Sequence, residues 1–149
     1  MAVVRHSIQI EASPDRVMAV LADAARWPEW YPGMTKIDVF EPFPETGGKV
    51  AFKVKSAGLS MPISETVLDY QPGRLQSFEM AGMLSGSARW ELTPDGGGTR
   101  LTTTFDYALP GGLAGRIADA LFVKRLNSTS LEQALRNCKA RLEAQPSGV

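Results

Sequence analysis

The chain has 149 residues, 44% hydrophobic and 21% charged, a composition typical of a globular protein with one sizeable core. Its 16 basic and 16 acidic side chains cancel, so neither a nucleic acid nor an anionic membrane surface is expected as the main partner. No segment approaches the ~18 apolar residues of a membrane span, so stable membrane insertion is not expected either. The lone Cys138 excludes an internal disulfide. We expect a single cytoplasmic domain over residues 1–143, monomeric or homodimeric, and a disordered tail over residues 144–149.

The N-terminal part of the chain predicts a strand, a short helix and an aromatic corner. Residues 3–10 alternate in polarity, with His6 on the apolar face. Ser13 is a favourable N-cap, and Pro14 at the first helical position opens the helix. Residues 26–32 read Arg-Trp-Pro-Glu-Trp-Tyr-Pro, and their two prolines end it. This corner is either a packed lid over one end of the core or a cavity mouth lined by Trp30 or Tyr31.

Six further segments alternate like strands, and most are linked by hairpin turns such as Asp95-Gly96-Gly97-Gly98. Hairpin links make neighbouring strands antiparallel. The clean alternation predicts a sheet with one solvent-exposed face and one buried face. The predicted strands span residues 35–41, 49–56, 61–71, 74–80, 86–93 and 99–108.

A long helix is predicted over residues 110–143, where apolar residues recur in steps of three, four and seven. At ~1.5 Å per residue it would run roughly 45–50 Å. In the middle of its apolar face the inward positions fall on Lys124 and Ser128, and polar groups there indicate a hollow core. Alternatively, the weak helix formers at 127–130 break the helix, which would turn Lys124 outward and bring Phe122 and Leu126 inward.

Several segments resemble the START-like superfamily, which has the helix-grip fold, and in particular its polyketide cyclase/dehydrase and coenzyme-Q-binding branches. The resemblance covers residues 3–143. It implies an α+β fold with two short helices after the first strand, and a curved seven-stranded antiparallel sheet wrapped around the C-terminal helix, with an apolar tunnel between. Members include ligand carriers, cyclases, dehydratases and regulators, so the fold alone names no reaction. The segments that carry the resemblance are residues 8–17, 27–32, 69–75, 88–92 and 99–102.

Two residues are candidates for acid–base chemistry. Glu65 shares strand parity with Ile63 and Val67; if those face the tunnel, its buried carboxyl has a raised pKa and can act as an acid. The other register, with Ser64 and Thr66 inward, leaves Glu65 in water. His6 is the only histidine, and a packed strand-end role competes with a catalytic one.

Further candidates would form the cavity of a binding protein. Lys124 could meet a ligand carboxylate or pair with Glu65, and the hydroxyls of Thr103, Tyr107 and Ser128 could orient a polar end of a ligand. The predicted function is a carrier or sensor of a small hydrophobic lipid-, polyketide- or quinone-like molecule. The alternatives are a cyclase or dehydratase that uses Glu65 or His6, and a protein-interaction module. No cofactor motif or metal-ligand spacing is present, so neither a cofactor nor a metal is expected. The predicted walls are Phe52, Val54, Ile63, Val67, Trp90, Phe105 and Leu121.

Overall fold

A computed structural model of the chain describes residues 2–56, 59–108 and 117–144, the last range with side chains from Lys124 onward. The predicted connection at Gly58, the predicted helix start before Ile117 and the predicted tail after Ala144 lie outside these ranges. The elements are β1 (Ala2–Ile10), α1 (Pro14–Ala22), a 3₁₀ helix (Ala24–Glu29), β2 (Met34–Phe40), β3 (Lys49–Ser56), β4 (Leu59–Gln71), β5 (Leu75–Gly82), β6 (Ser85–Asp95), β7 (Gly98–Ala108) and α2 (Ile117–Glu143).

The seven strands form one sheet in the order β1-β7-β6-β5-β4-β3-β2, and every neighbouring pair is antiparallel. The predicted α+β architecture is therefore confirmed, with strand bounds within about two residues of those expected. β1 and β2 are the two edges of the sheet. Among the described residues, α2 packs chiefly against β1.

A bulge in β4 changes which side chains point inward. Val67 pairs with Phe78, but the next pair is Asp69 with Ser77, so Leu68 is the extra residue. Leu68 is accordingly 53% exposed, while Val67 on the other face is buried. The apolar parity of this strand therefore does not continue past Val67.

The aromatic corner closes one end of the concave face. The Trp27 ring is buried in the 3₁₀ helix, and its indole N–H donates to the Leu21 carbonyl at 2.9 Å, which ties the corner to the end of α1. Edge-on packing of this kind adds to the hydrophobic gain of burial. The ring packs edge-on, with centroid distances of 5.5–6.3 Å, against Phe43, Phe52, Phe78 and Trp90.

The long helix α2 is anchored by its C-terminal half. Its buried apolar face consists of Leu131, Ala134, Leu135, Cys138 and Leu142. Polar bonds reinforce this packing: Asn137 donates to the Trp30 carbonyl at 3.0 Å, Lys139 to the Gln9 carbonyl at 2.6 Å, and the Glu11 N–H to the Glu143 carboxylate at 2.8 Å.

The helix is continuous through residues 127–130, so the predicted break does not occur. Lys124 is nevertheless exposed, so the expectation that it points into the core is wrong. It lies 18 residues, or five turns, before the buried Leu142 and therefore shares its face of the helix. That face is buried at Leu142 and exposed at Lys124. Helical periodicity does not predict where along the helix the burial ends.

Gly86 offers a test of how closely β6 and β7 pair. Its φ is +142°, a conformation essentially restricted to glycine, and a Cβ there would lie 2.1 Å from the Asp106 carbonyl oxygen. We expect Gly86→Ala to lower the free energy of unfolding by more than about 3 kcal/mol. The matched control is Gly96→Ala in the hairpin turn, where φ is +59° and no atom lies within 4 Å of the added methyl. Urea denaturation should show a loss of only about 1 kcal/mol there, and equal losses would contradict the predicted collision.

Candidate functional site

A cavity lies between the concave face of the sheet, the aromatic corner and α2. The empty volume among its lining atoms is about 620 Å³, including space open to solvent, but the centre of a water-sized sphere can occupy only about 50 Å³ of it. That is room for roughly three or four waters, so a larger guest requires the walls to move. Among the described residues, the lining consists of Trp27, Tyr31, Met34, Phe52, Val54, Ile63, Glu65, Phe78, Met80, Leu84, Ala88, Arg89, Trp90, Phe105 and Asn127.

Glu65 is the acidic residue of this lining. It pairs across the sheet with Val50 on β3 and Met80 on β5, both buried, and is itself only 6% exposed. The register that turns Ile63 and Val67 inward is therefore the one adopted, and Glu65 faces the cavity with them. Lys124, which sequence reasoning offered as its partner, is exposed on the helix.

Burial raises the pKa of the Glu65 carboxyl from 4.5 to about 8. Desolvation penalises the charged form, and no nearby cation or hydrogen-bond donor in the described ranges counters it. At neutral pH the group is mainly a neutral carboxylic acid. It can then donate a hydrogen bond or a proton to a molecule in the cavity.

Three polar side chains from other elements follow one another from Glu65: Tyr31, Tyr107 and Asn127. The pKa of Tyr31 is raised by burial and, to smaller extents, by Glu65 and Tyr107. Burial also raises the pKa of Tyr107, and the Asn127 amide partly offsets this rise. Even so, within the described part of the chain neither the Tyr107 hydroxyl nor Asn127 Nδ2 makes a hydrogen bond of normal geometry, although both atoms are buried. Because buried polar groups are normally hydrogen-bonded, these two atoms are left without the partners they would usually have.

The Trp90 indole, in contrast, is held by a hydrogen-bonded relay. The Trp90 indole N–H donates to Gln76 Oε1 at 3.0 Å, and Gln76 Nε2 donates to the Pro44 carbonyl at 2.9 Å. Gln76 is completely buried, so this relay fixes the orientation of the indole from behind the cavity wall. Sequence analysis did not identify Gln76, because glutamine on a strand is usually exposed.

Seven of the predicted site residues line the described cavity. Those that line it are Tyr31, Phe52, Val54, Ile63, Glu65, Trp90 and Phe105. Thr103, Tyr107 and Val67 are buried without being part of the described lining, and the side chain of Leu121 lies outside the described residues.

Trp30, His6 and Ser128 take other positions. Trp30 is buried and packs at a tilt against Tyr31 and Trp90, so within the corner it is Trp27 and Tyr31 that reach the cavity. His6 and Ser128 bond each other, Nε2 to Oγ at 2.9 Å, and join β1 to α2. This is the packed role that competed with catalysis for His6.

Trp27 and Asn127 are among the lining residues that sequence reasoning did not predict. Trp27 stood in the aromatic corner, but nothing in the sequence distinguished its direction from that of Trp30. Asn127 is one of the weak helix formers at 127–130 and was not among the predicted inward positions, but the structure buries it to 8% exposure.

Neither a metal site nor a membrane-crossing helix is found in the described part of the chain. No three His, Cys, Asp or Glu side chains gather there in a way that could hold a metal ion. None of the helices in the described ranges combines the length and the apolarity that a bilayer crossing requires.

A family model described as polyketide cyclase/dehydrase and lipid transport matches residues 1–143. An uncharacterised protein of Mycobacterium bovis is 28% identical to the chain, over 95% of this chain and 84% of its own length. Two uncharacterised Mycobacterium tuberculosis proteins match with the same figures.

Solved structures resemble the chain over nearly its whole length. The Zhui aromatase/cyclase from Streptomyces sp. R1128 has a TM-score of 0.82 at 21% identity and covers 99% of this chain and 98% of its own. The protein TTHA0849 of Thermus thermophilus has the same TM-score and identity, with 96% and 98% covered. At such identities the likeness shows the fold, which is the helix-grip arrangement.

The buried carboxyl predicts a pH-dependent stability. Between about pH 4.5 and pH 8 the unfolded chain has ionised Glu65 and the folded chain has not, so unfolding releases a proton. The free energy of unfolding should therefore fall as pH rises through this window, by up to about 1.4 kcal/mol per pH unit from this group. Urea denaturation across the window should show that Glu65→Gln removes this slope.

The matched control for this measurement is Glu79→Gln. Glu79 is exposed on the neighbouring strand β5, where it pairs with Thr66, the residue next to Glu65. The control should keep the slope of the unsubstituted protein. A slope that survives in Glu65→Gln would mean that the Glu65 carboxyl is not held neutral in the folded state.

Proposed function

We propose that this chain, which belongs to the polyketide cyclase/dehydrase and lipid transport family, binds a small hydrophobic molecule in the cavity as a carrier or sensor. The lining supports this proposal, because apolar and aromatic side chains with a few convergent polar groups are typical of ligand sites. The guest would be a lipid-, polyketide- or quinone-like molecule, whose apolar part lies against Phe52, Val54 and Phe105.

The observation that carries the proposal is the burial of Glu65 in that lining. A carboxyl group buried without a partner lowers stability, and a sheet that needed only a solid core would place a valine or leucine there. A polar group kept among apolar walls is better explained by a guest that binds it. Asn127 Nδ2 in the same lining supports this explanation, because it is buried and makes no hydrogen bond of normal geometry in the described part of the chain.

The narrowness of the cavity defines how binding proceeds. Space for about three or four waters is less than an aromatic guest needs, so binding is coupled to a movement of the walls. This movement lowers the affinity, since only the open fraction of molecules is competent to bind.

A cavity-filling substitution tests the proposal. Acetophenone, a small apolar probe, should quench or shift the fluorescence of Trp27 and Trp90, which line the cavity. Ala88 is a buried lining residue on β6, so Ala88→Phe should fill the space and weaken binding by about tenfold or more. The matched control is Ala81→Phe, at an exposed position on β5.

The control variant should bind like the unsubstituted protein, and circular dichroism should show that both variants are folded. Denaturing extraction of the purified protein, followed by mass spectrometry, should release an apolar molecule. If no saturable binding and no extracted molecule is found, or if Ala88→Phe binds as well as Ala81→Phe, the cavity is not a ligand site.

A second candidate function is proton-transfer catalysis of the cyclase or dehydratase type, and one observation favours it. Glu65 has a pKa of about 8 and faces the space where a guest would lie. General acids and bases work best with pKa values near the operating pH. Glu65 rather than His6 would carry this chemistry, because His6 bonds Ser128 away from the described lining.

Deuterium exchange distinguishes catalysis from binding. If Glu65 moves protons of a bound ketone, the protein should accelerate the exchange of the methyl protons of acetophenone in deuterated water, followed by nuclear magnetic resonance. Glu65→Gln should lose about 100-fold or more of this acceleration while keeping affinity within a few-fold. If both proteins exchange the protons equally fast, or if neither accelerates the exchange, proton transfer by Glu65 is excluded and only the carrier function remains.

A further inference from the structure

Four polar groups in and beside the cavity come from separate elements. Glu65 stands on β4, Tyr107 on β7, Asn127 on α2 and Tyr31 after the 3₁₀ helix. Glu65, Tyr31 and Asn127 line the cavity, and Tyr107 lies next to Asn127 just outside the described lining. Together they form a polar end in a space otherwise lined mainly by apolar side chains.

Every group at this polar end has a hydrogen to donate. The two phenols carry O–H groups, Asn127 carries an NH₂ group, and the neutral carboxyl of Glu65 carries a further O–H. Among the described residues, neither the Tyr107 hydroxyl nor Asn127 Nδ2 makes a hydrogen bond of normal geometry. The indole N–H groups of Trp27 and Trp90, in contrast, are already engaged by the Leu21 carbonyl and by Gln76.

No charge in the described lining would attract an ammonium group. Glu65 is mainly neutral below about pH 8, and the other lining residues carry no carboxylate. Arg89 is bonded to Glu91 on the exposed side of β6, with its side chain 52% exposed, so its charge is directed to solvent. A cationic guest would therefore lose its hydration without gaining a counter-ion.

We propose that the polar end of the guest is an oxygen that accepts hydrogen bonds, such as a ketone or ester carbonyl, held by Tyr31, Tyr107, Asn127 and Glu65. This inference rests on the proposed function and specifies which class of small apolar molecule the cavity takes. In the proposed function Glu65 is the main group that binds the polar end of the guest, and here all four groups bind it.

The closed state explains why an acceptor is favoured over a hydrocarbon. The Tyr107 hydroxyl and Asn127 Nδ2 are buried, and a buried donor without a hydrogen bond lowers stability. A carbonyl oxygen that enters the opened cavity relieves this penalty, whereas a hydrocarbon of the same shape leaves it in place. The difference in affinity between two such guests therefore measures the polar end alone.

Three probes of nearly the same shape test the proposal: acetophenone, ethylbenzene and benzylamine, titrated at about pH 6, where Glu65 is neutral. The protein should bind acetophenone about tenfold more tightly than ethylbenzene, and benzylamine no more tightly than ethylbenzene. Tyr107→Phe should reduce the acetophenone advantage to about threefold or less and leave the affinity for ethylbenzene unchanged. The matched control is Tyr70→Phe, because Tyr70 is a partly buried tyrosine whose charged neighbour is Glu45 and not a group of this polar end.

The outcomes separate the two proposals. If acetophenone and ethylbenzene bind equally well, or if benzylamine binds best, the cavity is a ligand site but its polar end does not select an acceptor. If the acetophenone advantage is the same in Tyr107→Phe and Tyr70→Phe, the Tyr107 hydroxyl is not one of the donors. If none of the three probes binds, the proposed function fails together with this inference.

Discussion

The packing of one indole ring, that of Trp27, determines the shape of the concave side of this fold. The ring touches side chains on β3, β5 and β6 as well as Phe43, and its N–H closes the end of α1. In the described part of the chain, α2 packs chiefly against the edge strand β1, and the corner covers the concave face around Phe52, Phe78 and Trp90. Because edge-on rings hold their centroids 5.5–6.3 Å apart, they close that end of the sheet and leave a narrow space beside Tyr31. The cavity is thus the space that the packed aromatic rings leave unfilled.

Most of the fold was predictable because it depends on local patterns. Polarity alternation located all seven strands, and the Ser13-Pro14 signal located α1. The register of β4 was not predictable, because both faces of Ile63-Ser64-Glu65-Thr66-Val67 are plausible until the strand is paired. The bulge at Leu68 makes the pattern harder to read, since the parity of residues 59–67 no longer holds for residues 69–71. Pairing with β3 and β5 determines which face of β4 turns inward, and a local sequence pattern contains no information on such long-range contacts.

The candidate site was predictable in kind and only partly in detail. A polar interruption on the helix face indicated a polar group against the cavity, and the residue that lies there is Asn127 rather than Lys124. Helical spacing gives the direction of a side chain and does not say whether a surface stands opposite it. The burial of Gln76 was not predictable for a related reason. It depends on a hydrogen bond to the Pro44 carbonyl, which lies in a loop distant in sequence.

The anchoring of α2 at one end has a mechanical consequence. Most of its described polar bonds to the corner, to β1 and to the residue that follows β1 lie between Asn137 and Glu143, and the His6–Ser128 bond is the tether to β1 nearest Asn127, which is about 15 Å further along the axis. A tilt of about 10° about the Asn137–Glu143 pivot would carry Asn127 through roughly 2.5 Å and stretch the His6–Ser128 bond, while the pivot itself would hardly shift. Because Asn127 is far from the pivot, a slight rotation of α2 changes the width of the cavity. The range of guest sizes then depends on how strongly the contacts of α2 outside the cavity, which touch no guest, resist this rotation.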